Sequence, residues 1–443
     1  MIVPSNRLIL FFALIVPPLA TLATLLPPAF PLAVFCGGGL LLAAVFDAFR
    51  ANVVLQGLYI RTAEFTRLQK ARAGSFQLTL FNDGRSRRRF RIGCVIPPEI
   101  VLDEEVRDIE ISSGTETVDL DWACTPMKRG LFRFESVVLE SHSSLGLWLV
   151  RERRTVEHEL RVYPDLIAER QRVAALFLRR GMTGSHTQRR AGQGREFEKL
   201  RDYVPGDSLG DVHWRASAKR GHLVTKIHQI ERSHEVYVVV DASRLSGREI
   251  SGHPGVSVLE RYVTAALILG AAAERQGDQF GLITFSDRML TFLRARAGQG
   301  HFDTCRERLY TLQPQPVTPD FNEVFSFIRS RLSKRALVIV LTSLDDPFLS
   351  ESFVEASEVI SRQHLILVNM LRPGAVRPVF SSLEVETMDD LYRELSGHLQ
   401  WEKLRELERV LSRRGIRFAL LDPVMVSAEL VRQHADVRER ELV

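Results

Sequence analysis

From Leu8 to Phe46 the chain carries no charged side chain. As one helix that run would be about 58 Å long at about 1.5 Å per residue, roughly twice the hydrocarbon core of a bilayer. Pro27-Pro28 and Pro31 interrupt it, because proline fixes φ and offers no backbone donor. Two apolar segments result, Leu8–Leu26 and Leu32–Phe46 with its flanks, each suited to one span. Pro17-Pro18 predicts a kink in the first, and Gly37-Gly38-Gly39 allows the two helices to approach closely. Arg7 precedes the first span, Arg50, Arg61, Arg67, Lys70 and Arg72 follow the second, and the connecting turn has no positive charge, so both ends are expected on the cytoplasmic side. A secretory signal peptide is the competing reading, but a second apolar run follows at once and no small-x-small cleavage site stands out.

From about Gly74 to Tyr163 the pattern becomes short alternating runs. Ser75–Phe81, then Asn82-Asp83-Gly84, then Arg89–Ile92 predicts a hairpin across the Asp-Gly pair, with the Arg85–Arg91 cluster as its solvated side and tip. Val106–Ile111, Thr117–Trp122, Gly130–Ser141 and Glu157–Val162 read as further strands of a small antiparallel sandwich or barrel. Beyond a basic, glycine-containing linker the rhythm is strand then helix. Val236–Val240, Phe280–Phe285, Ala336–Leu341, Leu365–Met370 and Ile416–Leu421 are short buried runs separated by helical patterns. The expected fold class is therefore α/β, a doubly wound and mostly parallel sheet preceded by the antiparallel β domain and the two-helix hairpin. The expected boundaries are residues 1–50 for the hairpin, 51–165 for the β domain, 166–232 for the linker and 233–443 for the α/β domain.

Charge refines this picture. The net charge of +5 is compatible with a nearby anionic membrane and is weak support for nucleic acid, which is not expected as a partner. From Arg179 to Arg232 there are twelve Lys/Arg against six Asp/Glu, so this stretch alone exceeds the net charge of the whole chain. Cys36, Cys94, Cys124 and Cys305 are too scattered for a zinc cage or a dithiol motif, and reduced thiols are expected. His213, His222, His228 and His234 lack the spacing of ligands on one helix. No nucleophile elbow and no phosphate loop is present, so an enzyme is not expected.

The most specific local sequence runs Gly192-x-Gly194-x-Glu196-Phe197-x-x-Leu200-Arg201-x-Tyr203-x-Pro205-Gly206-Asp207, followed by Trp214-x-Ala-Ser217-Ala-Lys219. It interleaves opposite charges and ends in a Pro-Gly turn, as an ordered connection would. The string resembles the signature of the bacterial family catalogued as domain of unknown function fifty-eight. Arg129-Gly130, Ser144-Leu-Gly-Leu-Trp148, Val162-Tyr-Pro-Asp165 and the apolar hairpin agree with it. A basic residue often found shortly after Pro-Gly-Asp in that family is replaced here by Gly210.

The resemblance implies a terminal von Willebrand factor type A-like domain, similar to those with a metal-ion-dependent adhesion site. On this sequence the implied ligands are Asp241 and Ser243 after the first strand, Thr318 in a second loop and Asp345 in a third, around a possible Mg²⁺. The match is incomplete. Leu245 stands where a second serine belongs, with Ser246 one residue late, and Ser343 stands where a carboxylate belongs, leaving Asp345 or Asp346 to supply it. Asp241 is expected at an accessible loop edge. The resemblance further implies an inner-membrane protein with cytoplasmic domains that binds a MoxR-type AAA+ ATPase, in the assembly or maturation of envelope or metal-containing complexes. Transglutaminase-like or other membrane proteins are further candidate partners. A metal-assisted hydrolase, or an extracellular adhesion module of inverted topology, are the alternatives.

Overall fold

The computed structural model describes the chain except for residues 27, 29, 52, 85–86, 180–190, 193–195, 206–207, 209, 211, 230–233, 379–386 and 441–443, and describes the backbone alone at 176–179, 191–192, 196–199 and 226–229. Residues Met1–Asp165 and Leu166–Val443 form two compact units.

In the first unit a short strand, β1 (Ile2–Pro4), leads into helix α1 (Asn6–Leu25), and α2 (Phe30–Ala51) follows. Ser5 caps α1, its hydroxyl accepting the Leu8 N–H at 3.4 Å. Both helices are long and apolar enough to cross a membrane, consistent with membrane anchoring. Strands β2 (Leu58–Thr62), β3 (Phe65–Gln69), β4 (Gly74–Asn82), β5 (Arg88–Val95), β6 (Ile100–Leu102), β7 (Val106–Ile111), β8 (Thr117–Pro126), β9 (Gly130–His142) and β10 (Trp148–Tyr163) complete the unit. They form two sheets, ordered β1-β10-β9-β5-β7, with β3 also on β10, and β2-β4-β8-β6. Alternation decides what is buried: Phe76, Leu78 and Leu80 of β4 share one core with Phe134, Val137 and Leu139 of β9 and with Leu160 and Val162 of β10.

The hairpin expected across Asp83-Gly84 does not form. Strand β4 pairs with β2 and β8, whereas β5 pairs with β7 and β9 in the other sheet, so the turn carries the chain between layers. The Asp83 N–H is bonded to Gly57 O at 3.0 Å, outside any β4–β5 ladder. The arginines after the turn are engaged across β5 and β7: Arg89 pairs with Glu110 at 2.9 Å and Arg91 with Asp108 at 2.8 Å.

The second unit opens with α3 (Leu166–Arg179), then β11 (Ala191–Gly192), β12 (Glu196–Asp202), α4 (Trp214–Arg220) and β13 (Val224–Gln229), the three strands forming an antiparallel sheet ordered β11-β13-β12. Strands β14 (Glu235–Asp241), β15 (Glu249–Ile250) and β16 (His253–Ser257) precede α5 (Val258–Arg275), β17 (Gln279–Phe285) and β18 (Met289–Arg296). Then come α6 (Gln299–Leu309), α7 (Phe321–Arg331), β19 (Leu337–Leu341), α8 (Pro347–Ser361), β20 (Leu365–Leu371), α9 (Met388–Arg413), β21 (Arg417–Leu421) and α10 (Val426–Glu439). The main sheet of this unit is ordered β18-β17-β14-β19-β20-β21, with β18 antiparallel at its edge. Successive β14 side chains enter different cores: Val236, Val238 and Val240 lie with Leu259 and Val263 of α5, and Tyr237 and Val239 with Phe325 of α7 and Phe353 of α8.

The expected fold class, a doubly wound and mostly parallel sheet preceded by an antiparallel β domain and a two-helix hairpin, is corrected in its mostly parallel character by this inventory of sheets. Beyond the apolar helix pair the strands are largely antiparallel. Both sheets of the first unit are antiparallel apart from the β3–β10 pair, and β11–β13 and β15–β16 add two more antiparallel sheets. The von Willebrand factor type A-like domain that the resemblance implies is not shown either. The reason for the correction lies in strand composition: β10 is a 16-residue strand carrying four arginines, and its length is hidden from a reading that looks for short apolar runs.

Helix α10 is held by apolar residues at helical spacing, Val426, Leu430 and Val437, and by His434, whose Nε2 lies 2.8 Å from Asp278 Oδ2 with both residues buried. Burial pulls the Asp278 carboxyl up, but the His434 hydrogen bond, the His234 N–H and nearby Arg438 outweigh it, and it titrates below its ordinary range. A depressed carboxyl stabilises the fold above its unfolded pKa, and that stability is lost as acid protonates it in the folded state. His434→Ala is expected to cost roughly 3 kcal/mol, because it strands a buried carboxylate. Urea unfolding at neutral pH measures that loss, and amide exchange should rise along α10 first.

Candidate functional site

Asp241 ends the central strand β14, and the residues expected around it come from the loops after β14 and β19 and from the one before α7. The aspartate is 1% exposed, so the expectation of an accessible loop edge is corrected. Its Oδ1 accepts the Ser243 N–H at 2.7 Å and its Oδ2 accepts the Thr342 hydroxyl at 2.6 Å. Burial pushes its carboxyl up, opposed by the hydrogen bonds from Thr342 and Ser243. The Thr342 carbonyl accepts from Tyr262 OH at 3.0 Å, and that phenol oxygen accepts the Leu371 N–H at 3.2 Å, so β14, α5, β19 and β20 meet in one buried network.

Of the other three implied ligands, Ser243 is fully buried, and its hydroxyl meets no hydrogen-bond partner among the described residues. Thr318 is exposed. Its loop is tied down by backbone bonds, Arg244 N–H to Val317 O at 2.9 Å and Gln315 N–H to Ala242 O at 2.7 Å. Asp320, two residues on, caps α7 through the Glu323 N–H. Asp345 is paired with Arg248 at 2.5 Å, and Asp346 caps α8.

These residues do not fit a resident Mg²⁺. A hard divalent ion takes six or more oxygens with carboxylates among them. Here both Asp241 oxygens are already acceptors for the chain's own donors, and a guanidinium neutralises Asp345. Among the described residues no three His, Cys, Asp or Glu side chains converge. What the arrangement does is hold four elements together.

The signature residues fall on the β12–β13 ladder and on α4. Gly192 of β11 lies opposite His228. Glu196 and Phe197 pair with Gln229 and His228, and Leu200 and Arg201 with Lys226 and Thr225. Gly194, Gly206 and Asp207 lie outside the described residues. Tyr203 N–H bonds Leu223 O at 2.9 Å, just before the exposed Val204 and Pro205. Ser217 is structural. Its hydroxyl donates to His213 O at 3.1 Å and accepts the Val224 N–H at 2.9 Å, tying α4 to β13, while His213 Nδ1 caps α4 through the Ala216 N–H. Trp214 points outward and is 64% exposed. Because Tyr203 bonds Leu223 and His213 bonds Val224, the exposed Val204, Leu223 and Trp214 belong to one small backbone cluster.

Sequence reading missed a cavity of about 500 Å³ lined by Arg372, Arg377, Trp401, Arg405 and Phe418 among others. Its residues come from the segment after β20, from α9 and from β21. Three separated arginines carry no local signal; Gly397 of α9 lies so close to Ala375 O that a Cβ there would clash, so α9 can approach the segment after β20.

An apolar helix pair, an antiparallel sandwich and a sheet-based second unit define the class of protein. Residues 199–376 match the family model described as Protein of unknown function DUF58, which supports that family for the chain and covers the signature from Lys199 onward. No curated protein matches in sequence. Among solved structures, the conserved hypothetical protein BatB from Bacteroides thetaiotaomicron is similar at 16% identity over 46% of this chain and 100% of that chain, with a TM-score of 0.28. Proximal thread matrix protein 1 from the mussel byssus is similar at 13% identity over 45% of each chain, TM-score 0.25, and the YadV chaperone at 12% over 25% of this chain and 53% of that chain, TM-score 0.18.

A group whose folded pKa is raised loses stability as pH climbs through it. Asp241→Asn removes the charge while leaving Oδ1 for Ser243 and an amide for the Thr342 oxygen. It is expected to be more stable than the native chain at neutral pH by on the order of 1 kcal/mol, with the gap closing towards pH ~4. Paired urea titrations decide it, and an Asn variant weaker at both pH values would mean that the network requires the carboxylate.

Proposed function

We propose that this chain is a membrane-anchored protein-interaction module of the inner membrane. Its soluble units are cytoplasmic, and its partner is a MoxR-type AAA+ ATPase in the assembly or maturation of envelope or metal-containing complexes. The observation that carries the reading is Trp214, a large aromatic in the signature that is 64% exposed while Ser217, one turn later, is buried and bonded. Exposed aromatics beside apolar neighbours are what protein interfaces use as anchors. The positive charge after the second span supports the cytoplasmic orientation. The hydrolase alternative is less favoured, since each Asp241 oxygen already accepts a hydrogen bond from the chain's own donors and, among the described residues, no three His, Cys, Asp or Glu side chains converge to hold a metal.

Affinity purification of the full-length chain from solubilised membranes, with and without Mg²⁺ and ATP, is expected to recover the ATPase. Trp214→Ala is expected to lower recovery by at least about tenfold, as loss of an interface anchor does, with thermal unfolding unchanged because the side chain is exposed. Undiminished recovery with the variant would move the interface elsewhere, and no ATPase from the native chain would remove the proposed partner.

A further inference from the structure

We propose that the loop Ser143–Trp148 sits in the headgroup boundary of the bilayer, with Leu145 inserted into it, so that the β unit touches lipid directly. The inference rests on the membrane-anchored reading and specifies which part of the first unit meets the membrane surface.

The geometry follows from where that loop is bonded. Helices of 20 and 22 residues are about 30 and 33 Å long, close to the thickness of a hydrocarbon core. The start of α1 and the end of α2 therefore lie near one face of the bilayer. The loop grips both. Ser5 N–H bonds Leu147 O at 2.9 Å and its hydroxyl bonds Gly146 O at 2.6 Å. The indole N–H of Trp148 donates to Ala44 O at 2.7 Å, seven residues before the end of α2 and so about 10 Å inside it. A loop hydrogen-bonded that far into the helix is held at membrane depth.

Asp47 supplies the second constraint. It is fully buried within a helix otherwise apolar up to Phe49, where an unpaired carboxylate facing lipid would be costly. Its oxygens accept the Leu145 N–H at 2.9 Å, the Leu147 N–H at 3.2 Å and the Ser143 hydroxyl at 2.5 Å. Leu147 is buried by this grip, whereas Leu145, two residues earlier, is left 55% exposed. Charge complements an anionic lipid surface: the Arg7 guanidinium lies against Gly146, and Arg50 sits over the exposed Phe46 ring. A tryptophan and two arginines beside an exposed leucine are the side chains that favour a membrane–water interface.

The test uses the full chain with Leu145→Cys carrying a bimane label, in a Cys36→Ser, Cys94→Ser background, Cys124 and Cys305 being buried. The control is Lys128→Cys, beside the far end of the β9–β10 ladder, where Gly130 pairs with Val162, fourteen residues and roughly 45 Å along the strand from Trp148. In phosphatidylcholine–phosphatidylglycerol vesicles bearing a nitroxide high on the acyl chain, emission at position 145 is expected to fall about twofold or more with little change at 128, since interfacial residues bury only to the headgroup–acyl boundary. Equal emission loss at both positions, in protein that floats with the vesicles, overturns the placement and leaves the anchor intact. Protein that does not float removes the anchor and this placement with it.

Discussion

The carboxylate of Asp47 is the constraint around which the first unit is organised. A charge fully buried in an apolar helix has to be met by donors, and the three it finds come from a single loop of the sandwich, Ser143, Leu145 and Leu147. Because Ser5 and Trp148 bond across the same junction, the helix pair and the sheets share a rigid joint instead of a tether. The cap of α1, the end of α2 and the loop before β10 are thereby coupled, and β1 pairs with β10 beside them.

The second unit repeats the principle with other partners. Asp241 joins β14 to β19 through Ser243 and Thr342, and Tyr262 extends the link to α5 and β20. Asp278 fastens α10 through His434. In each case a buried carboxylate accepts a hydrogen bond from a distant part of the chain, so the acid ties separate elements together. That is why a ligand pattern in the sequence became a hydrogen-bond hub in the fold. The same spacing of Asp, Ser and Thr serves either purpose, and here Arg248 is paired with Asp345.

Much of the local structure was legible in the sequence. The charge-free run interrupted by prolines marked α1 and α2, and the buried runs of the second unit marked β14, β17, β19, β20 and β21, because apolar periodicity and turn residues act locally. Pairing was less legible. Asp83-Gly84 has hairpin chemistry, yet its flanking strands went to different sheets, because pairing is decided by partners far away in the chain. The antiparallel sheets of the first unit were expected from its alternating runs, but the extent to which antiparallel pairing dominates the chain was not, because strand direction is a property of pairs and leaves no mark on either strand alone.

By itself the sequence determined where the chain is greasy, where it turns, which segments are helix or strand, and where its most specific motif, Gly192 to Lys219, lies. Each of these is a property of neighbours within a few residues. Only the tertiary structure decided that Ser217 is buried while Trp214 is presented, that Asp241 is buried and bonded to Thr342, and that arginines 372, 377 and 405 share a cavity. Those outcomes depend on contacts between residues far apart in the chain, whose energies are settled only when the competing donors, acceptors and apolar faces are brought together in space.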